Sequence, residues 1–242
     1  MTKMPHLSLM KWEFQDRLQA TSKQNVNDGT PETTYYIYDN SGQRVRKVTE
    51  RSAVNGQEPR RLNERIYIGS FFELYQEFPG SGKDKPSLER ETLHLFDDQD
   101  RVCTIETRIT GMDNAPEIQR RYLHGNQLGS MALKLSDNAE IISYEEYFPY
   151  GGTSYQAMAN QTDLPKRYRY TDKERDEENG FYYHGARYYA AWLGRWTACD
   201  QGGYGDGPNL YQYMRSNPIS MSDPNSADAS RRTRCRRLAR RS

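Results

Sequence analysis

The sequence predicts an all-β protein built of antiparallel hairpins, and three observations carry that expectation. Its 242 residues include 19 tyrosines, 7 phenylalanines and 3 tryptophans, while apolar residues make up only 35%. Aromatic side chains bury large areas and suit pleated surfaces, so a tyrosine-built sheet tolerates this polarity where a leucine core would not. Alternating runs are repeatedly broken by short acidic turns. The chain also lacks a run of about twenty apolar residues, so no helical membrane span is expected.

Taken in order, Met1 to Leu18 (MTKMPHLSLMKWEFQDRL) is strand-like from the start and lacks the apolar centre of a secretory signal. Synthesis in the cytoplasm, with release by other machinery, is the expectation. Thr33 to Glu50 is the clearest hairpin: Tyr36, Tyr38, Val45 and Val48 flank Asp39-Asn40-Ser41-Gly42. Asp and Asn cap turns with their own side chains, and glycine accepts positive φ. Leu93 to Arg108 repeats the idea with Phe96 in the tyrosine place and Asp100 in the glycine place. Leu133 to Gly151 repeats it around Asp137-Asn138, and Arg65 to Phe78 supplies further strands. One such unit cannot bury its own face and must stack on neighbours. Ser52 to Arg60, Pro79 to Pro86 and Gly111 to Pro116 are polar loops. Gln156 to Pro165 interrupts the alternation and marks a boundary, dividing the chain into 1–165, 166–226 and a tail at 227–242. Arg175-Asp176-Glu177-Glu178 is expected to be a solvated turn.

Several function classes find little support. Cys103, Cys199 and Cys235 are odd in number and unrelated in spacing, which suits neither a disulfide framework nor a metal site. No cofactor is expected, because no phosphate-cradling glycine motif occurs and Gly202 to Gly207 reads as a turn. Seven arginines between Ala229 and Ser242 carry the positive excess, and the rest of the chain is acidic. That tail has no interleaved aromatics, so it reads as disordered rather than as a nucleic-acid contact.

The stretch Arg167 to Pro224 resembles the RHS repeat-associated core domain, which closes a YD-repeat shell in bacterial polymorphic toxins and in the C component of insecticidal toxin complexes. Lys173 to Tyr189 (KERDEENGFYYHGARYY), Leu193 to Trp196, Asn209 to Pro218 and Asp223-Pro224 carry the resemblance. Thr33 to Glu50 is similar to the YD repeat itself. The resemblance implies an antiparallel YD-repeat sheet that forms part of a hollow β-shell enclosing a toxin. Its implied partners are a toxin-complex B-like component or upstream RHS shell, with a C-terminal toxin enclosed in intact relatives and release as part of a toxin complex. Full shell proteins of this family carry many more repeats upstream, so the chain is expected to be the C-terminal remnant of a longer shell.

The resemblance further implies an aspartyl self-protease formed by Arg187, Asp200 and Asp223. One carboxylate takes a proton from water while the other, protonated, polarises the scissile carbonyl. Two close carboxyls titrate apart and so supply both roles, and a guanidinium orients one of them. Without the family, Arg187 reads as a strand arginine between Tyr183 and Tyr189, and the two aspartates as turn residues. The pattern departs at Gln201, where proline is usual, and at Asn225-Ser226-Ala227, where glycine and an apolar residue are usual after Asp-Pro. Three readings therefore stand open: a structural shell segment, an active autoprotease, and a carbohydrate- or surface-binding β module.

Overall fold

The computed structural model describes residues 4–80, 85–98, 100–159, 166–200, 203 and 207–221. A twelve-stranded sheet follows chain order without a crossover: β1 (Leu9–Trp12), β2 (Leu18–Ser22), β3 (Thr33–Tyr38), β4 (Arg44–Glu50), β5 (Arg61–Ile68), β6 (Phe72–Glu77), β7 (Leu88–Asp97), β8 (Asp100–Thr110), β9 (Ile118–Gly125), β10 (Met131–Leu135), β11 (Ile141–Tyr147) and β12 (Thr153–Met158). The sheet is open, with β1 and β12 at its edges. A second sheet of four short strands holds β13 (Glu174–Arg175), β14 (Tyr182–Tyr183), β15 (Tyr188–Ala190) and β16 (Arg195–Trp196), again antiparallel and in sequence order. The expected all-β antiparallel class is what the chain adopts.

The β3–β4 turn shows why the sequence makes hairpins. The Asp39 carboxylate accepts from the Ser41 N–H, the Ser41 hydroxyl and the Gln43 N–H at 2.7–2.9 Å, while Gly42 takes φ 84°. In the β7–β8 hairpin the left-handed residue is Asp98, at φ 56°, whereas Asp100 lies in the strand opposite Asp97. The place expected for glycine, Asp100, is thus a strand position. A short polar side chain such as that of Asp98 tolerates the left-handed conformation, so glycine is not required there.

By packing, the chain forms two compact units: Met1–Leu123 with Leu135–Glu140 and Glu177–Asn179, and His124–Lys134 with Ile141–Asp176 and Gly180–Ser242. In the first unit, charged side chains are packed against rings and against one another. Arg44 is buried, with its guanidinium 4.9 Å from the Tyr67 ring and 5.8 Å from that of Tyr36. Arg90 grips Asp113 through two bonds of 2.7 and 2.8 Å, and Arg108 donates to the same carboxylate at 2.7 Å. These arginines hold the Asp113 carboxyl down to about 2. Buried Glu73 takes Arg65 at 3.0 Å and His94 at 2.9 Å. Asn179 donates to the Tyr36 hydroxyl at 2.8 Å and Glu178 pairs with Lys47, so this part of the expected solvated turn is engaged.

The second unit has an aromatic core: Tyr170, Tyr182, Tyr189, Trp196 and Tyr213 are all about 1% exposed or less. Tyr189 stacks on Tyr213 with centroids 4.0 Å apart. Three of the hydroxyls are satisfied by backbone: Tyr170 donates to Pro149, Tyr182 to Gly151 and Tyr189 to Tyr150, at 2.9–3.1 Å. Gly151 is required at its place, since it takes φ 85° and a Cβ would lie 2.4 Å from the Tyr170 ring. Residues 141–158 carry repeat-like sequence, yet Tyr147, Tyr150 and Gly151 pack here with the core motif. Asp176 is fully buried, contrary to its expected place in a solvated turn. Its carbonyl and N–H close the β13–β14 hairpin onto Gly180 and Phe181, which draws the residue inward.

Candidate self-cleavage centre

The core motif positions its functional side chains through hairpin geometry. Tyr182 pairs with Tyr189 and Tyr183 with Tyr188, and the His184 N–H donates to the Arg187 carbonyl at 3.0 Å across a tight turn. Gly185, at φ 91°, allows that turn. Arg187 thus leaves the hairpin tip immediately before β15. Asp200 lies four residues beyond β16, with its N–H on the Leu210 carbonyl at 3.0 Å.

The two meet: Arg187 Nη1 is 3.0 Å from Asp200 Oδ2. The guanidinium is 8% exposed and the carboxylate 19%, so the pair is largely withdrawn from water yet open on one side. A place between Tyr183 and Tyr189 was the plain expectation for Arg187 as a strand arginine. Its guanidinium carbon sits 4.2 Å from the Trp196 ring centroid, because Trp196 pairs with Tyr189 across β15–β16 and brings its indole to the hairpin. Thr197 secures this arrangement, since its N–H and its hydroxyl both donate to the Tyr188 carbonyl at 2.9 Å. Neither Trp196 nor Thr197 was singled out as a site residue, although the LGRW motif contains the tryptophan. Asp223, the third expected member, lies outside the described residues, as do Cys235 and the 227–242 tail.

The returning segment Asn209 to Met214 forms no strand. It instead pairs by an isolated bridge, Arg195 with Gln212, together with the bond from the Trp196 N–H to the Tyr211 carbonyl at 3.0 Å. A ladder cannot propagate because Met214, Arg215 and Ser216 take φ of 48°, 50° and 60°, the left-handed region, immediately afterwards. Chemically, the described part offers an oriented carboxylate and its cation. An aspartyl mechanism needs one further acid.

The second unit also holds a buried charge cluster. Glu145 is wholly buried and takes Arg169 at 3.2 Å, Tyr147 at 3.1 Å and Thr153 at 2.7 Å. Lys166 Nζ lies 3.9 Å from the same carboxylate and donates to the Met131 and Ala132 carbonyls at 2.7 Å. Burial pushes the Lys166 amine down to about 8, partly countered by Glu145.

No family profile matches the chain. Curated relatives do. Toxin subunit YenC1 of Yersinia entomophaga is 30% identical over 230 residues, covering 89% of this chain and 22% of the relative. YenC2 of the same organism is 31% identical over 190 residues, covering 78% of this chain and 19% of the relative. The double-stranded DNA deaminase toxin A of Burkholderia cenocepacia is 25% identical over 218 residues, 88% of this chain and 15% of the toxin. The chain therefore spans about a fifth of the length of the toxin subunits it matches. Among solved structures, the TcdB2–TccC3–TEV crystal structure superposes with a TM-score of 0.81 at 30% identity, covering 93% of this chain and 10% of that one. The Photorhabdus luminescens Tc holotoxin pore gives the same score, identity and coverage. The chain is an RHS/YD-repeat protein with an RHS repeat-associated core domain, resembling the C-terminal shell part of the insecticidal toxin complex C component.

Proposed function

We propose that this chain is a wall segment of a toxin-enclosing β-shell and helps to deliver a C-terminal toxin, residues 1–165 supplying repeats and 166–226 the closing core. The open twelve-stranded sheet carries this reading. Each strand adds next to its predecessor, as a wall extended repeat by repeat requires, and the chain superposes on TcdB2–TccC3–TEV with a TM-score of 0.81. A partner completes such a wall, namely a toxin-complex B-like component or upstream RHS shell, and the assembly is released as a toxin complex. Co-expression with a B-like component tests it: the proposal expects a stable complex on size exclusion, and two separately eluting proteins would contradict it.

A second reading is favoured by the Arg187–Asp200 contact of 3.0 Å. Under it, Asp223 completes an aspartyl self-protease whose cut falls after the Asp223-Pro224 motif. Asp200, steered by Arg187, would take a proton from water while protonated Asp223 polarises the scissile carbonyl. Water adds to that carbonyl, the C–N bond breaks, and the proton taken by Asp200 goes to the leaving amine. Intact mass of the purified chain decides the matter. A cut in residues 223–227 that Asp200→Asn abolishes supports catalysis, and an uncut chain leaves the structural role alone.

A further inference from the structure

We propose that Asn55 is a site of spontaneous covalent modification: the Gly56 backbone nitrogen displaces its side-chain amide, and water opens the resulting succinimide to aspartate or isoaspartate. The chain holds two Asn-Gly pairs, Asn55-Gly56 and Asn179-Gly180. Glycine carries no Cβ to hinder attack through its own nitrogen, so the two pairs are equal as sequence. The fold makes them unequal. Asn55 and Gly56 are the central residues of the turn Val54 to Gln57 between β4 and β5, and both are exposed. That turn is closed by the Gln57 N–H on the Val54 carbonyl at 3.0 Å, a bond that uses neither the Asn55 side chain nor the Gly56 N–H. Beyond its chain neighbours, no atom lies within 4 Å of the place a Gly56 Cβ would take, so a ring forming there is not crowded.

Asn179-Gly180 is held at both reacting ends. Asn179 is wholly buried, and its amide nitrogen donates to the Tyr36 hydroxyl at 2.8 Å. The Gly180 N–H, whose nitrogen would attack, donates to the Asp176 carbonyl at 2.6 Å. Reaction there waits for the structure to open, whereas Asn55 reacts from the folded state. In the step itself a bond forms from Gly56 N to Asn55 Cγ, and the Cγ–Nδ2 bond breaks. Ammonia leaves with the proton of the Gly56 nitrogen, and water then cleaves either carbonyl–nitrogen bond of the ring. A carboxylate replaces a neutral amide, which lowers the formal net charge from +1 by one unit. The isoaspartate form also lengthens the main chain by one methylene. The turn accommodates it because its root is pinned: Ala53 and Thr30 exchange bonds of 2.8 and 2.9 Å, and the Arg51 N–H donates to the Arg60 carbonyl at 2.8 Å.

Peptide mapping of the folded full-length chain, held at mildly alkaline pH, tests this site by site. The Asn55 peptide should resolve into aspartate and isoaspartate forms, while Asn179 converts about 100-fold more slowly because it reacts only on opening. In strong denaturant the two sites should convert at similar rates, since sequence alone then governs them. Asn55→Gln, a substitution in an exposed turn, should remove the fastest-forming acidic species on isoelectric focusing. Equal rates at Asn55 and Asn179 in the folded chain, or an Asn55 that converts only in denaturant, would overturn the proposal.

Discussion

The two units bury polar side chains by different means. In the first, cations meet anions: Arg90 and Arg108 share Asp113, Arg65 and His94 share Glu73, and Arg46 and Arg61 share Glu64. In the second, beside the one cluster around Glu145, tyrosines bury their rings against one another and turn their hydroxyls onto backbone carbonyls. A charge-paired face is sensitive to loss of a partner but largely indifferent to shape. A ring-packed core is sensitive to volume and to ionisation of the phenol. The same tyrosine- and arginine-rich composition supports both, which is how a chain with 35% apolar residues builds two compact units.

High pH should load the second unit most strongly, although burial raises Tyr75 of the first as well. Burial raises the Tyr147, Tyr182 and Tyr189 hydroxyls far above 10 and Tyr170 to about 12. A raised folded value means that stability is fully present below pH 10, where unfolded tyrosine holds its proton, and is lost as pH rises towards the folded values. Tyr170 alone represents about 3 kcal/mol across that window. Lys166 acts in the opposite direction below it. Its folded amine is lowered to about 8 against 10.5, so its penalty is complete below pH 8 and fades up to 10.5. The second unit should therefore be most stable between about pH 8 and 10 and melt above that. Denaturant melts read by near-ultraviolet dichroism across pH 6–12 test this, and Lys166→Met should flatten the rise between 8 and 10.

Next in size comes ring removal. Tyr189→Ala or Tyr213→Ala should cost about 3–5 kcal/mol, because each leaves a ring-sized void in a fully buried stack. Calorimetry should show the second unit's transition moving while the first unit's stays in place; a matched shift of both would break the comparison.

A smaller effect belongs to the first unit. Asp113→Asn should cost about 1–2 kcal/mol, reduced by partial exposure of the carboxylate. Its folded carboxyl is lowered to about 2 from 3.8, so this contribution is present above 3.8 and lost as pH falls towards 2. Acid melts of the variant should lose that limb. Loss of the same stability at pH 9 as at pH 2 would point to shape rather than charge.

The smallest effect concerns the sheet edges. β1 and β12 each have one strand partner, and an open edge invites pairing with another chain. Tyr155 is 55% exposed on β12, and Tyr155→Lys should reduce self-association in light scattering without moving either transition.

The hairpins were legible because turn chemistry is local: the Asp39-to-Gly42 capping follows from four consecutive side chains. The Arg187–Asp200 pairing spans thirteen residues and was reached only through the family pattern, since nothing local in HGARYY or WTACD states that they meet. The buried Glu145–Arg169–Lys166 cluster was missed, because each of those residue types ordinarily belongs to a solvated face. Alternation beside turn residues points to Tyr36, Tyr38, Tyr147, Tyr168, Tyr170, Tyr182, Tyr183, Tyr188 and Trp196 as the interior aromatics; Tyr36, Tyr170, Tyr182, Tyr188 and Trp196 are buried, while Tyr38, Tyr147, Tyr168 and Tyr183 are only partly so. Tyr189 and Tyr213 are buried as completely but were not expected: one sits next to a strand tyrosine that alternation favours, and the other precedes an irregular left-handed turn.

Hydrogen exchange at the β1 edge tests the shell-wall claim most directly. Alone, the outward amides of Leu9 to Trp12 have no strand beyond them in the sheet order and should exchange fast. With a toxin-complex B-like component or upstream RHS wall present, the account predicts that these amides become protected while the β3–β4 amides stay as they were. Unchanged exchange at β1, from a chain that remains monomeric at high concentration and melts independently of the partner, would contradict it.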